Sequence, residues 1–164
     1  MRAISTVFLL LLIINDTYGQ LNNNSNYDLD IRLGYSITTD GSLENGFSLG
    51  MEPRLWLGQK FSIGVKADLH RFNLSRNFSH TRNDVAHSIV VISDFYSSDE
   101  TDDQLFAGLG YGFHDDYFRS GSGITGRVGY LKSEFRISFE YNLRLNNDSG
   151  GNDYYGIYFS WSPF

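Results

Sequence analysis

Four histidines, His70, His80, His87 and His114, are the residues of this chain best suited to proton transfer. Paired with a serine and an acid they could drive nucleophilic acyl chemistry, but no spacing here reproduces a triad, which is in any case a geometric arrangement. His87 and Ser88 are adjacent, so on a strand they face opposite sides. Gly121-Ser-Gly-Ile-Thr-Gly126 spells GxGxxG. Dinucleotide binding needs that turn between a strand and a helix, with the pyrophosphate at the helix N-terminus. A strand pattern follows it here, so these glycines are expected to shape a loop and thin one strand. His114-Asp115-Asp116 and the acidic run from Asp99 to Asp103 offer carboxylate oxygens to hard cations, yet neither has EF-hand spacing. The histidines are read as loop or rim residues. No catalytic residue, cofactor or specific metal site is assigned.

The pattern that must position any such residue is plainer. Glu134 to Leu145 alternates without interruption. Phe135, Ile137, Phe139, Tyr141, Leu143 and Leu145 share one face; Glu134, Arg136, Ser138, Glu140, Asn142 and Arg144 share the other. Successive strand side chains point to opposite faces, so this is a β-strand with one apolar and one charged side. Soluble strands commonly stop at about 5–6 residues. A run this long suits a tilted bilayer crossing, which takes about 9–11.

Seven other segments repeat the motif. Tyr27 to Ile37 sets Leu29, Ile31, Leu33 and Tyr35 against Asp28, Asp30 and Arg32. Phe47 to Leu57 sets Leu49, Met51 and Leu55 against Glu52, Arg54 and Trp56, with Pro53 predicting a bulge or local break. Phe61 to Phe72 places Lys66, Asp68 and His70 on its polar side. Val85 to Tyr96 is apolar on both faces around Ile89 to Ile92; an inward Asp94 would turn Ile89, Val91 and Phe95 outward. Leu105 to Phe113, Ile124 to Leu131 and Tyr154 to Trp161 complete the set. The predicted fold is all-β: an eight-stranded antiparallel up-and-down transmembrane barrel. An even strand number closes the sheet, as lipid requires because it cannot satisfy free backbone groups. Eight strands leave an interior just wide enough to be filled by side chains. Asp28, Asp30, Glu52, Asp68, Glu134 and Glu140 are expected there with Arg32, Arg54, Lys66, Arg127, Arg136 and Arg144, giving a filled polar lumen and no open pore. The fifth strand's glycines would make room for the arginines and Trp56.

Residues 1–19 are expected to be a signal peptide: Arg2, an apolar run from Val7 to Ile14, and Thr17-Tyr18-Gly19 before Gln20. That run is too short to span a bilayer as a helix. A flexible polar lead-in (20–26) and one barrel domain (27–164) follow. The chain has no cysteine and therefore no disulfide or thiolate site. A net charge of −6 argues against nucleic-acid binding. Aromatics at 16% with 17 glycines and two prolines fit long strands and interfacial girdles. Short links at Gln59-Lys60 and Lys132-Ser133 alternate with long ones near 38–46, 73–84, 114–123 and 146–153, predicting short turns on the periplasmic side and long loops outside. The link from Ser97 to Asp103 is longer than this pattern wants.

With the strands in place, the chain resembles the small outer-membrane β-barrel proteins of Gram-negative bacteria, the OmpX-type eight-stranded class. The matching stretches are Gly46 to Arg54, Phe61 to Lys66, Phe106 to Gly112, Gly126 to Tyr130 and Phe139 to Asn142. Phe164 resembles the C-terminal aromatic presented to the barrel-assembly machinery, although Pro163 intervenes and Tyr155, Ile157, Phe159 and Trp161 fall out of phase with it. The resemblance implies an integral outer-membrane protein, monomeric, with a structural or surface-interaction role and with outer-membrane lipids and lipopolysaccharide as partners. The His114 loop could bridge divalent ions to lipopolysaccharide phosphates. Two alternatives stand beside it. One is a soluble lipocalin-like barrel, with the apolar face inside around a ligand; the other is a lipid A-modifying outer-membrane enzyme.

Overall fold

The computed structural model describes residues 26–39, 43–74, 84–97, 103–115, 120–145 and 153–163. The strands are β1 (Tyr27–Thr38), β2 (Leu43–Trp56), β3 (Phe61–Leu74), β4 (Asp84–Tyr96), β5 (Gln104–Asp115), β6 (Ser120–Lys132), β7 (Phe135–Arg144) and β8 (Tyr154–Trp161). Each pairs antiparallel with the next, and β1 pairs with β8 from Ile31↔Trp161 to Thr38↔Tyr154, closing the barrel. This is the fold class the alternation predicts. Closure leaves no strand edge, so every ladder finds its partner within the sheet.

Strand boundaries depart from expectation at the long-loop end. β2 starts at Leu43 and β6 at Ser120, each four residues before the apolar alternation begins. Gly121, Ser122 and Gly123 carry no apolar signal, yet they pair with His114, Phe113 and Gly112. GxGxxG therefore lies within a strand and forms no loop. Pro53 breaks nothing in register: Met51↔Ala67 and Arg54↔Gly64 keep one frame across it, although Glu52 and Pro53 have no ladder partner on β3. The register shift falls instead between Leu43 and Gly46. Pro53 pairs with Leu29 of β1, and the local break expected of it is this gap in the β3 ladder, where the prolyl nitrogen is not called on.

The short links are tight. Leu57 N–H donates to the Phe61 carbonyl at 2.8 Å, and Gly58 (φ 96°) takes a left-handed conformation without a Cβ penalty. Ser133 occupies that region as well (φ 53°) in the two-residue turn between β6 and β7. The longer β4–β5 link begins with Ser97 N–H donating to the Leu105 carbonyl at 2.9 Å.

The two faces of the sheet settle which side of β4 points out. Val85, Ile89, Val91 and Phe95 are exposed, while Val90, Ile92 and Tyr96 are fully buried. Around the whole barrel the outer surface is apolar, with Phe47 72% and Leu109 67% exposed, and the interior is charged, with Arg32 and Glu52 at 0%. A soluble ligand-binding barrel has the opposite polarity, so the lipocalin-like alternative does not describe this structure.

Interior crowding makes a matched pair of glycines informative. A methyl group at Gly108 would land on Asp94 Oδ1 and 2.9 Å from the Ser93 carbonyl, whereas one at Gly126, facing outward, meets nothing within 4 Å. Gly108→Ala should therefore destabilise the barrel by about 1–3 kcal/mol through overpacking. Gly126→Ala should be neutral or stabilise by about 0.5–1 kcal/mol. Equilibrium unfolding in detergent or lipid measures both, and equal losses would contradict this assignment of faces.

Candidate functional site

Among the described residues, charge is concentrated in the interior. Asp30, Glu52, Asp68, Asp94 and Glu140 are buried together with Arg32, Arg54, Lys66, Arg127 and Arg136. They arrive there because every second residue of a strand faces inward, and six strands (β1 to β4, β6 and β7) each deliver one or two charges. An unpaired charge buried away from water is very costly, so these acids and bases pair with one another.

Glu52 lies at the hub. It accepts from Arg32 Nη1 at 2.8 Å, from Arg54 Nη2 at 2.5 Å, and from both terminal nitrogens of Arg127 at 2.8 and 2.7 Å. Arg32 reaches on to Glu140 at 2.6 Å and to Asp68 at 3.2 Å. Lys66 donates to Glu140 at 2.9 Å. Arg127 also donates through Nε to Asp94 at 2.7 Å and makes a second contact with the same carboxylate through Nη2. Arg54 and Arg136 share Asp30 at 3.0 and 2.6 Å. Arg32, Arg54 and Arg127 thus each spend a planar fork on two or more carboxylates, while Arg136 divides its fork between Asp30 and the Tyr96 hydroxyl at 3.0 Å.

Aromatic residues cap the ionic layer at both ends. Toward the short turns, Trp56 and Tyr96 stack with ring centroids 4.7 Å apart, and Phe106 and Leu131 complete the cluster. Trp56 Nε1 donates to half-buried Asp28. Arg136 lies 5.0 Å over Phe106 and Arg32 4.8 Å over Tyr158, placing cations on aromatic faces. Toward the long loops, Tyr154 Oη lies 3.2 Å from His114 Nδ1 and 3.4 Å from His70 Nε2.

Two corrections follow for the predicted lumen set. Glu134 is exposed: β7 begins one residue later, so the turn releases this side chain from the pleat, and it accepts from Trp161 Nε1 at 3.3 Å on the outside. Asp94, by contrast, belongs to the network as a main partner of Arg127. The apolar residues on both faces of β4 hid its phase. Arg144 sits at the long-loop rim, 7% exposed. The remaining lumen positions, Asp30, Arg32, Glu52, Arg54, Lys66, Asp68, Arg127, Arg136 and Glu140, are all brought into contact.

The histidines also move. His70 and His114 are interior, not loop or rim residues, so His114 is not placed to bridge surface cations. His70 Nε2 faces Ser88 Oγ at 3.4 Å, but Asp68 pairs with Arg32 and not with the imidazole, and the pair is sealed in the wall. That arrangement has no triad. His87 lies outside, 3.0 Å from Asp115. His80, most of the 99–103 acidic run, Phe164 and residues 1–25 lie outside the described residues. Among the described residues no cluster of histidines and acids could hold a metal ion.

No protein-family model matches this sequence, and no curated protein matches it. Among solved structures the chain is similar to a barrel from the de novo design of transmembrane β-barrels, with 12% identity, TM-score 0.49, and 87% of this chain and 99% of that chain covered. It is similar to the N-terminal β-barrel domain of Pseudomonas aeruginosa OprF at 10% identity and TM-score 0.47, covering 84% and 98%. It is also similar to Ail, the attachment invasion locus protein of Yersinia pestis, at 15% identity and TM-score 0.47, covering 83% and 95%.

The network generates a direct test. Glu140→Ala should cost about 3–5 kcal/mol, because it strands Arg32 and Lys66 in a dry interior. Adding Lys66→Met should recover part of that loss, while Glu134→Ala should stay within about 0.5 kcal/mol of wild type. A double-mutant cycle by refolding titration reads the coupling; a silent Glu140→Ala would sink the account of a charge-paired interior.

Proposed function

We propose that this chain is an integral outer-membrane β-barrel without an open pore, holding a structural or surface-interaction role in the cell envelope. One observation carries the reading: the closed ring buries its charges and turns its apolar side chains outward, a polarity that suits lipid outside. Outward aromatics near both strand ends, such as Tyr27, Phe95 and Trp161 at one end and Tyr35 and Tyr111 at the other, suit interfacial girdles. The ion-paired interior supports a plug in preference to a channel.

The finer parts of the reading rest on sequence. Export follows from residues 1–19, with cleavage after Gly19, and Phe164 presents the chain to the barrel-assembly machinery. The short turns face the periplasm. Lipids of the outer membrane, lipopolysaccharide included, are the partners of the outer band. The barrel is a monomer of the OmpX-type class and carries no catalytic centre.

The mature protein should fractionate with outer membranes, resist carbonate extraction, and migrate anomalously on a gel until boiled. It should conduct no measurable current in planar bilayers. Phe139→Arg, on the outward face of β7, should cost about 2–4 kcal/mol in lipid. Recovery of wild type in the soluble periplasm would overturn the proposal, and so would a Phe139→Arg variant as stable as wild type in bilayers.

A further inference from the structure

The short-turn end of the barrel is not closed flush. A pocket of about 320 Å³ opens there between the turn at 58–59, the turn at 133–134 and the start of β1. Its size lies at the lower end of the range for small-molecule sites. Trp56 and Leu131, which belong to the aromatic cluster capping the ionic layer, line it. So do Asp28, Glu134 and Arg136.

The charges of this pocket do not balance. Arg136 commits Nη1 to Asp30 at 2.6 Å and Nη2 to the Tyr96 hydroxyl at 3.0 Å. Asp28 and Glu134 are left over. Asp28 is half-buried and accepts from Trp56 Nε1, and Glu134 accepts from Trp161 Nε1 at 3.3 Å; both donors are neutral. Neither acid forms a salt bridge among the described residues. The segments that adjoin this end in the chain, 20–25 and 98–102, contain no Lys or Arg. An opposite signal comes from Arg136 Nε. The residue is only 3% exposed, and this N–H meets no acceptor among the described residues. A buried donor left unmet is costly, so the wall calls for an acceptor as well as for a cation.

A metal ion suits this set poorly. Calcium takes about 6–8 oxygen ligands, and no cluster of acids and histidines among the described residues could hold a metal. A simple anion is opposed by the two carboxylates. An ammonium group fits better, because beside Asp28 and the Trp56 indole it gains from both the carboxylate and the ring. We infer that this mouth binds a small hydroxylated amine, the size of a single amino sugar, with its ammonium on Asp28, a hydroxyl oxygen on Arg136 Nε and its body against Trp56. The pocket belongs to the mouth of the lumen, so the proposal stands apart from whatever solvates the outer wall.

The mature protein, refolded in detergent micelles and checked for folding by heat-dependent gel mobility, tests the pocket by isothermal titration calorimetry. Wild type should bind D-glucosamine at one site. N-acetylglucosamine, which lacks the charge, and cyclohexylamine, which lacks the hydroxyls, should each bind about tenfold more weakly, the effect of losing one charge-assisted hydrogen bond. Asp28→Asn should abolish the preference for glucosamine over its N-acetyl form. Glu134→Gln should weaken binding only about twofold, since that carboxylate is exposed. Asp115→Asn, at the long-loop end, should match wild type. Equal binding of glucosamine and N-acetylglucosamine by wild type would overturn the site without recourse to any variant. A preference that survives Asp28→Asn would overturn it too, and so would folded wild type that binds no glucosamine.

Discussion

Glu52 accepts from three arginines carried by three different strands, and the rest of the barrel is arranged around that fact. A carboxylate with no access to water is tolerable only when cations surround it, and those cations need carboxylates of their own. The requirement propagates from Glu52 through Arg32 to Glu140, through Arg127 to Asp94, and through Arg54 to Asp30. The result is a buried lattice in which five acids and five bases alternate. No single strand could satisfy it. The lattice exists only when the ring is closed, so ionic pairing and backbone closure require each other.

That mutual dependence explains why the interior is built from arginine and glycine together. Guanidinium groups need length to reach across the lumen, and their stems need space where they leave the wall. Gly108 provides it beside Arg127 and Asp94, since any Cβ there would occupy the carboxylate's position. Tyr158 and Phe106 then fill the gaps beside the guanidinium planes with aromatic faces. Long charged side chains, with rings above and below, thus fill the ionic layer.

Much of this was legible in the sequence because a period of two is a direct image of the pleat. β7 and β1 each place apolar and charged residues in strict alternation, so both faces and most of the lumen set could be read without coordinates. Legibility failed where chemistry and phase were uncoupled. Around Ile89 to Ile92 both faces of β4 are apolar, and the inward role of Asp94 was visible only as one option. Glu134 kept the phase of β7 but lost its strand, because a turn begins where the alternation still runs. The glycines and serines at 120–123 look like loop in any pattern of hydrophobicity, and only their partners on β5 make them a strand. His70 shares the polar phase of Lys66 and Asp68, so its inward side was legible, whereas His114 follows the end of the apolar alternation at Phe113 and was not.

The pairing of β1 with β8 has a kinetic consequence. The two strands that close the ring lie at opposite ends of the domain, and contacts such as Arg32 with Glu140 span 108 residues. High contact order of this kind slows folding, because loop entropy is lost before distant contacts reward it. β1 must therefore wait, its outer ladder unpaired, until the last strand has been delivered. During that interval the chain exposes both a sheet edge and a set of charges without partners, the first prone to aggregation and the second costly to bury. Closure is thus bound to be all-or-none: a half-made ring satisfies neither its backbone edge nor its charges.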